Sequence, residues 1–421
     1  MRRSDGRTTA PRGGRIRAVV VAAAALGVLL SGCVRAGVPH PQHLDPSTLD
    51  VGANSIDPLT PPAGTEQDGR VLESVRMGEA IIDPAEVDPT LTRDVANRTA
   101  PVPSPVKAAG ILAEPVREVL ESHGMLAGYV VSGTDVENRD STLPAPGSAR
   151  LLSVLLLRFP DAQAAQLAAR QMDATDAAVS PDNVAVRLAE YPAAFAHWRP
   201  GVPTMAATIA DGPFVVSVLA GHTAADQALL AGTVRAAVDR QLPRLRAFVP
   251  TARDRIADLP LDQDGMIARL IPYGAGHWPR PSVVAMDSGP LAGWSASLRI
   301  SGIVLGPRAT RLLKNLELPD TIERIAMNGY NRLERYPDAV AARRAFLAAQ
   351  ADFPEPQRAA ATPAGVPDVY CRTGVAVQPQ LPIQVRCQVL YGRYVASVVG
   401  LNLTDAQQRS AAQYAVLVRG A

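Results

Sequence analysis

The residues that could do chemistry are few and scattered. Six histidines (His40, His43, His123, His197, His222 and His277) are spread over 421 residues, with no H-E-x-x-H, no i, i+4 pair and no cysteine beside them. A tetrahedral metal site needs such ligands in close spacing, so no metal is expected. Ser104 and Lys107 match S-x-x-K, the spacing by which a lysine one helical turn on serves a serine nucleophile. Pro105 and the surrounding strip Arg98 to Gly110 speak against a helix there, so the match is read as a loop. There is no G-x-S-x-G, no P-loop and no G-x-G-x-x-G, so no catalytic residue and no cofactor is expected. One local pattern remains: His197-Trp198 in "AFAHWRPG" and His277-Trp278 in "GAGHWPRP", each beside proline and arginine. Amphipathic rings of this kind can line a ligand cleft between domains, or simply cover loop edges of the core.

Cysteine is used three times, at Cys33, Cys371 and Cys387. The last two lie in strand-like runs, "DVYCRT" and "IQVRCQVLYG", and the absence of C-x-x-C or a neighbouring histidine leaves a disulfide as the simplest reading in an exported chain. Cys33 has a different setting. Arg2, Arg3, Arg7, Arg12, Arg15 and Arg17 precede an apolar run, Ala18 to Leu30, too short for the roughly 20 residues of a bilayer-spanning helix. That is the layout of a secretory signal. Leu30-Ser31-Gly32-Cys33 closes it and resembles the bacterial lipobox, in which the thiol is acylated and the chain is cut between Gly32 and Cys33. Arg2-Arg3 also suggests twin-arginine export, although Ser4-Asp5-Gly6 follows where apolar residues are expected.

Removal of residues 1–32 takes six arginines and Asp5 from totals of 42 basic and 40 acidic residues, leaving 36 against 39. A mature chain near neutrality without basic runs excludes broad nucleic-acid binding. Membrane attachment then comes from lipid: each buried methylene contributes about 0.8 kcal/mol, and two or three acyl chains anchor stably. Only two lysines, Lys107 and Lys314, against abundant arginine and alanine suggest a high-GC genome such as an actinobacterium.

The elements behind these residues follow from pattern. Residues 33–70 are rich in Pro, Gly, Ser and Thr and read as an extended tether. Beyond it lies a duplication. Arg158-Phe159-Pro160-Asp161-Ala162 returns as Arg335-Tyr336-Pro337-Asp338-Ala339, and Gly212 to Val218 returns as Gly392 to Val398, at offsets of 177 and 180. Two matches at nearly one offset indicate a repeated unit. In each, a strand ("LLSVLLLRF" in the first) runs into a Pro-Asp helix start, with Leu167, Ala168 and Met172 on the inner face of the first such helix. A hairpin then turns at Asp211-Gly212 or Tyr391-Gly392, and a last helix starts at a capping-box-like Thr223/Asp226 or Thr404/Gln407. The expected fold is α+β: two tandem domains, 71–250 and 251–421, each a small, mostly antiparallel sheet in β-α-β-β-α order with helices on one face.

The lipobox, the two Arg-aromatic-Pro-Asp-Ala junctions, Gly392 to Val395 and the Cys371/Cys387 pair together resemble the secreted lipoproteins of mycobacteria and related actinobacteria that carry a duplicated domain of unknown function (DUF7373-like). The resemblance implies location and architecture and supplies no catalytic residues. It favours a non-enzymatic lipoprotein on the outer face of the cell membrane that binds an envelope lipid, glycan or protein partner. An envelope hydrolase with dispersed catalytic residues and a structural spacer remain alternatives.

Overall fold

The computed structural model describes residues 45–420 except 96–97, 138–142, 273–276, 287–296, 317, 353–355 and 375–384. The signal segment, Cys33 and the first part of the expected tether lie outside the described residues. The first half contains α1 (Glu66–Met77), α2 (Pro84–Val87), β1 (Arg93–Asp94), β2 (Ala100–Pro101), α3 (Pro105–Ala109), α4 (Val116–Ser122), β3 (Ala127–Thr134) and β4 (Leu151–Arg158). It continues with α5 (Ala162–Ala177), β5 (Val184–Ala185), β6 (Phe195–Trp198), β7 (Thr204–Asp211), β8 (Phe214–Gly221) and α6 (Gln227–Arg246). The second contains β9 (Ser282–Met286), β10 (Ser297–Ser301), β11 (Ile303–Leu305), α7 (Pro307–Leu312), β12 (Arg324–Asn328) and β13 (Asn331–Arg335). It ends with α8 (Ala339–Ala351), β14 (Arg358–Ala360), β15 (Val369–Thr373), β16 (Val385–Tyr391), β17 (Tyr394–Gly400) and α9 (Leu403–Arg419).

The fold is α+β, with helices packed on antiparallel sheets. The first sheet has the order β1-β3-β4-β8-β7-β6-β5 with β2 also on β3, and the second β11-β12-β13-β17-β16-β15-β14. The two orders correspond strand for strand, and so does the register. Leu155 opposes Ser217 as Arg332 opposes Ser397, and Ala196 opposes Ala207 as Cys371 opposes Cys387. The β-α-β-β-α expectation omits strands at both edges of each sheet, β1, β2, β3, β5 and β6 in the first and β11, β12, β14 and β15 in the second; several are too short to carry a hydrophobic period.

The repeated motif has a structural cause. Asp161 and Asp338 are the N-caps of α5 and α8, each accepting the backbone N–H three residues on, at 2.8 Å; such a cap contributes about 1 kcal/mol. Arg158 and Arg335 end their strands and tie down remote segments. Arg158 is buried, donating to Glu73 Oε1 and to the Thr251 carbonyl. Arg335 donates to Asp264 at 2.9 Å and pairs with Glu323 at 3.2 Å nearer the surface. Gly212 and Gly392 form two-residue hairpin turns with φ of +57° and +55°, a conformation glycine adopts without Cβ strain.

Four expectations are corrected. The last helices are capped by Asp226 and Asn402, whose short side chains accept the amides of the first turn, and not by Thr223 and Thr404. Leu167 is 44 % exposed, whereas Ala165, Ala168, Ala169 and Met172 are buried. It lies two residues from Ala165 and from Ala169, roughly 200° round the helix from each. The helices do not share one face of the second sheet. Val389 and Ala396 pack with Ala411, Tyr414 and Ala415 of α9, while their strand neighbours Leu390 and Val395 pack with Ala342 and Phe346 of α8. Successive strand residues point to opposite faces, so α8 and α9 cover the sheet from both sides. Finally, the expected tether touches the body in its described part: Leu49 is buried in the second core and Asp50 accepts from Gln408 at 3.1 Å, while residues 60–67 are exposed.

The sheets are separate but their cores are not. Ile303, Leu305, Ala309, Leu312 and Ile325 belong to the same apolar cluster as Val75, Tyr129 and Leu156 of the first half. Partly buried polar links reinforce this contact: Glu79 accepts the N–H groups of Arg308 and Ala309 at 3.1 and 3.0 Å, and Lys314 reaches Asp83 at 2.6 Å.

Candidate functional site

The α8-facing side of the second sheet carries three arginines where the matching side of the first has leucine, alanine and histidine. By strand alternation from Leu390 and Val395, this face carries Arg332 and Glu334 on β13, Arg372 on β15, Arg386 and Gln388 on β16, and Ser397 on β17. They are cross-strand neighbours. Arg372 opposes Arg386, Gln388 opposes Ser397, and Ser397 opposes Arg332, so their Cβ atoms lie about 4.5–5.5 Å apart in each pair. The equivalent residues under α5 are Leu155, Leu157, His197, Ala206, Thr208 and Ser217.

Most of this layer is enclosed. Glu334, Gln388 and Ser397 are 5 %, 6 % and 2 % exposed. Arg332 pairs with Glu334 at 2.8 Å, and the other Glu334 oxygen accepts the Tyr336 hydroxyl at 2.8 Å. Arg372 donates to Gln357 at 3.0 Å and to the Tyr370 hydroxyl at 2.9 Å, with its guanidinium over the Tyr370 ring. The Arg386 Nε and the Ser397 hydroxyl are buried without a hydrogen-bond partner among the described residues. Burial, then the charges of Arg332 and Arg372, push the Arg386 guanidinium down to about 10, which still leaves it charged at neutral pH. Buried donors left without partners are uncommon and costly.

The corresponding position in the first half is self-contained. His197 Nδ1 meets Asp173 at 2.8 Å and Nε2 lies 3.5 Å from Asp176, both on α5. Burial disfavours the charged ring, but the hydrogen bond to Asp173 and the two carboxylate charges outweigh it and raise its pKa. Burial raises the Asp176 pKa as well.

The sequence-derived candidates fall in different places. Trp198 packs against the first core and Trp278 against the second, so the two His-Trp pairs are not brought into one cluster, and His277 is exposed. Cys371 and Cys387 form a disulfide across β15 and β16, with Cα atoms 4.0 Å apart. Ser104 does open a helix, contrary to expectation: it caps α3, with Pro105 at the first helical position, where proline's missing N–H costs nothing. Its hydroxyl accepts the Lys107 backbone N–H at 3.4 Å. Among the described residues no cluster of three His, Cys, Asp or Glu is placed to hold a metal, and no helix is long and apolar enough to cross a membrane. The arginine layer was missed by sequence reading. Superposing the halves at the repeat offsets would have set Arg332 on Leu155 and Arg386 on Ala206.

Family models match in the same two parts. Residues 60–261 match the N-terminal domain of unknown function DUF7373 and residues 312–420 its C-terminal counterpart. The chain belongs to the DUF7373 family. The N-terminal match contains the whole first sheet, and the C-terminal match contains the arginine layer and the disulfide. No curated protein matches. The extracellular domain of PknH from Mycobacterium tuberculosis is similar at a TM-score of 0.26 and 10% identity, over 44% of this chain and 98% of that chain. At that distance the likeness carries no argument about this DUF7373 chain.

Proposed function

We propose that this DUF7373 chain is an exported lipoprotein, held on the outer face of an actinobacterial cell membrane through Cys33, and that it works by binding an envelope ligand. The binding reading is carried by one observation: a half-buried layer holding Arg332, Arg372, Arg386, Gln388 and Ser397 where the first half has Leu155, His197, Ala206, Thr208 and Ser217. The fold does not need the charges of Arg332 and Arg386, because the same backbone closes over Leu155 and Ala206 in the other copy. Anchorage is supported by the basic start, short apolar run and Leu30 to Cys33 ending of the sequence, and by a cystine, which persists in oxidising compartments.

Anchorage is tested on protein expressed in an actinobacterial host. Wild type is expected to carry acyl mass on a chain beginning at Cys33 and to sediment with membranes, while Cys33→Ala does neither. Unacylated, soluble wild-type protein would overturn it.

A further inference from the structure

We infer that residues 45–57 form a docked strap that sets how far the body can stand from its anchor, so that the mature chain hangs from residues 34–44 and not from the whole of residues 34–65. The inference rests on the anchorage reading proposed above and adds a conformational device to it.

The seat of the strap is built into the last helix of the second half. Gln241 on α6 accepts the Ile82 N–H at 3.0 Å and donates to the Ala80 carbonyl at 2.8 Å; Gln413 on α9 accepts the Ile271 N–H at 2.8 Å and donates to the Arg269 carbonyl at 2.7 Å. The two glutamines are equivalent, and they set the register between the helices. In that register Val234, Val238 and Leu245 fall on Ala406, Ser410 and Leu417, all buried. The helices part on another side. Asp239, Arg240 and Pro243 of α6 are exposed, whereas their counterparts Ala411, Ala412 and Ala415 on α9 are buried.

A helix that is apolar on this side as well must be covered there. The strap supplies part of the cover: Leu49 shares a cluster with Ala411 and Ala415, and Val51 and Ile56 pack against the cluster of Ala412, Ile271 and Val398. Polar contacts hold it at two places. Asp50 accepts from Gln408 at 3.1 Å, and Arg419 donates to Asp57. Gln408 and Arg419 stand about three turns apart on α9, roughly 16 Å. The strap precedes the residues that either family model matches, 60–261 and 312–420.

Docking decides reach. Asp45 is 12 residues beyond Cys33, and Glu66, which opens α1, is 33 beyond it. At about 3.6 Å per residue at most, the strap begins within about 43 Å of the acylated cysteine however residues 34–44 are arranged, against about 119 Å for the start of α1 with the strap undocked. The strap therefore keeps the α9 side of the body close to the leaflet.

The test uses the full-length acylated protein in phosphatidylcholine vesicles. Hydrogen exchange reports docking, through the amides of Leu49, Gly52 and Asn54, which are hydrogen-bonded within the strap. Energy transfer from a dye on Thr404→Cys, exposed in the first turn of α9, to acceptor-labelled headgroups reports height. Wild type is expected to exchange these amides slowly and to transfer efficiently. Ala411→Asp with Ala412→Arg, which gives α9 the acidic and basic side chains of α6, is expected to free the amides and lower transfer. An insertion of about 20 Gly and Ser residues after Leu44 is expected to lower transfer with the amides still slow. Protection of β16 and β17, read in the same spectra, shows that the body stays folded, and Leu49→Asp with Ile56→Asp repeats the release without touching α9. The inference is overturned if the wild-type strap exchanges at the intrinsic rate, or if both pairs of substitutions leave transfer at the wild-type value. Acyl mass decides anchorage separately: unacylated wild type removes the anchorage reading, whereas acylated protein with a freely exchanging strap removes only this one.

Discussion

Two copies of one sheet, with the same strand order and register, have been filled in opposite ways. Under α5 the first copy places Leu155 and Leu157 and pairs the buried His197 imidazole with two carboxylates; under α8 the second places Arg332 and Glu334, and no ion pair is formed by Arg386 among the described residues. What the backbone requires of this face is therefore only that it be filled. What fills it is open to selection for something other than stability, and polar groups retained at an energetic cost are a reason to look for a ligand.

The largest expected difference between the halves lies in the motif arginines. Arg158 and Glu73 are buried, so Glu73→Ala should remove about 3–5 kcal/mol of unfolding free energy by stranding the guanidinium. Glu323→Ala, at the half-exposed partner of Arg335, should cost about 1 kcal/mol or less. Urea denaturation measures both, and equal losses would show that the two anchors are alike after all.

Next comes the cystine, which the first half replaces by Ala196 facing Ala207. Its 16-residue separation corresponds to about 3 kcal/mol in chain-entropy terms. Reductant should lower the urea midpoint of wild type and leave a Cys371→Ala, Cys387→Ala variant unmoved; a wild-type midpoint that ignores reductant would count against the bridge as a stabiliser.

The smallest effect belongs to His197. Its folded pKa is raised, so its stabilisation is complete below the unfolded value of about 6.5 and is lost as pH rises through the folded one. Tm should decline as pH rises above about 6.5 in wild type and decline less in His197→Gln. Parallel profiles would place the pH dependence elsewhere.

Much of the scaffold was legible because it rests on local chemistry. Asp161 and Asp338 announce helix starts, Gly212 and Gly392 announce turns, and Arg158 and Arg335 recur at an offset too consistent for chance. The arginine layer was not legible. In "IQVRCQVLYG", Arg386 and Gln388 alternate with apolar residues just as a solvent-facing strand edge would, and only the packing of α8 shows that this face is covered. The edge strands β5 and β14 failed for another reason: two or three residues carry no period, and their pairing partners supply the structure.

The cluster shared between the halves has a consequence for the order in which the molecule is made. Helix α6 ends at Arg246, but the first core also needs Ile303, Leu305, Ala309, Leu312 and Ile325. Roughly 80 further residues must be synthesised before that cluster can close, about 4–16 s at ordinary elongation rates. During that interval the nascent first sheet exposes apolar surface to whatever machinery is carrying the chain.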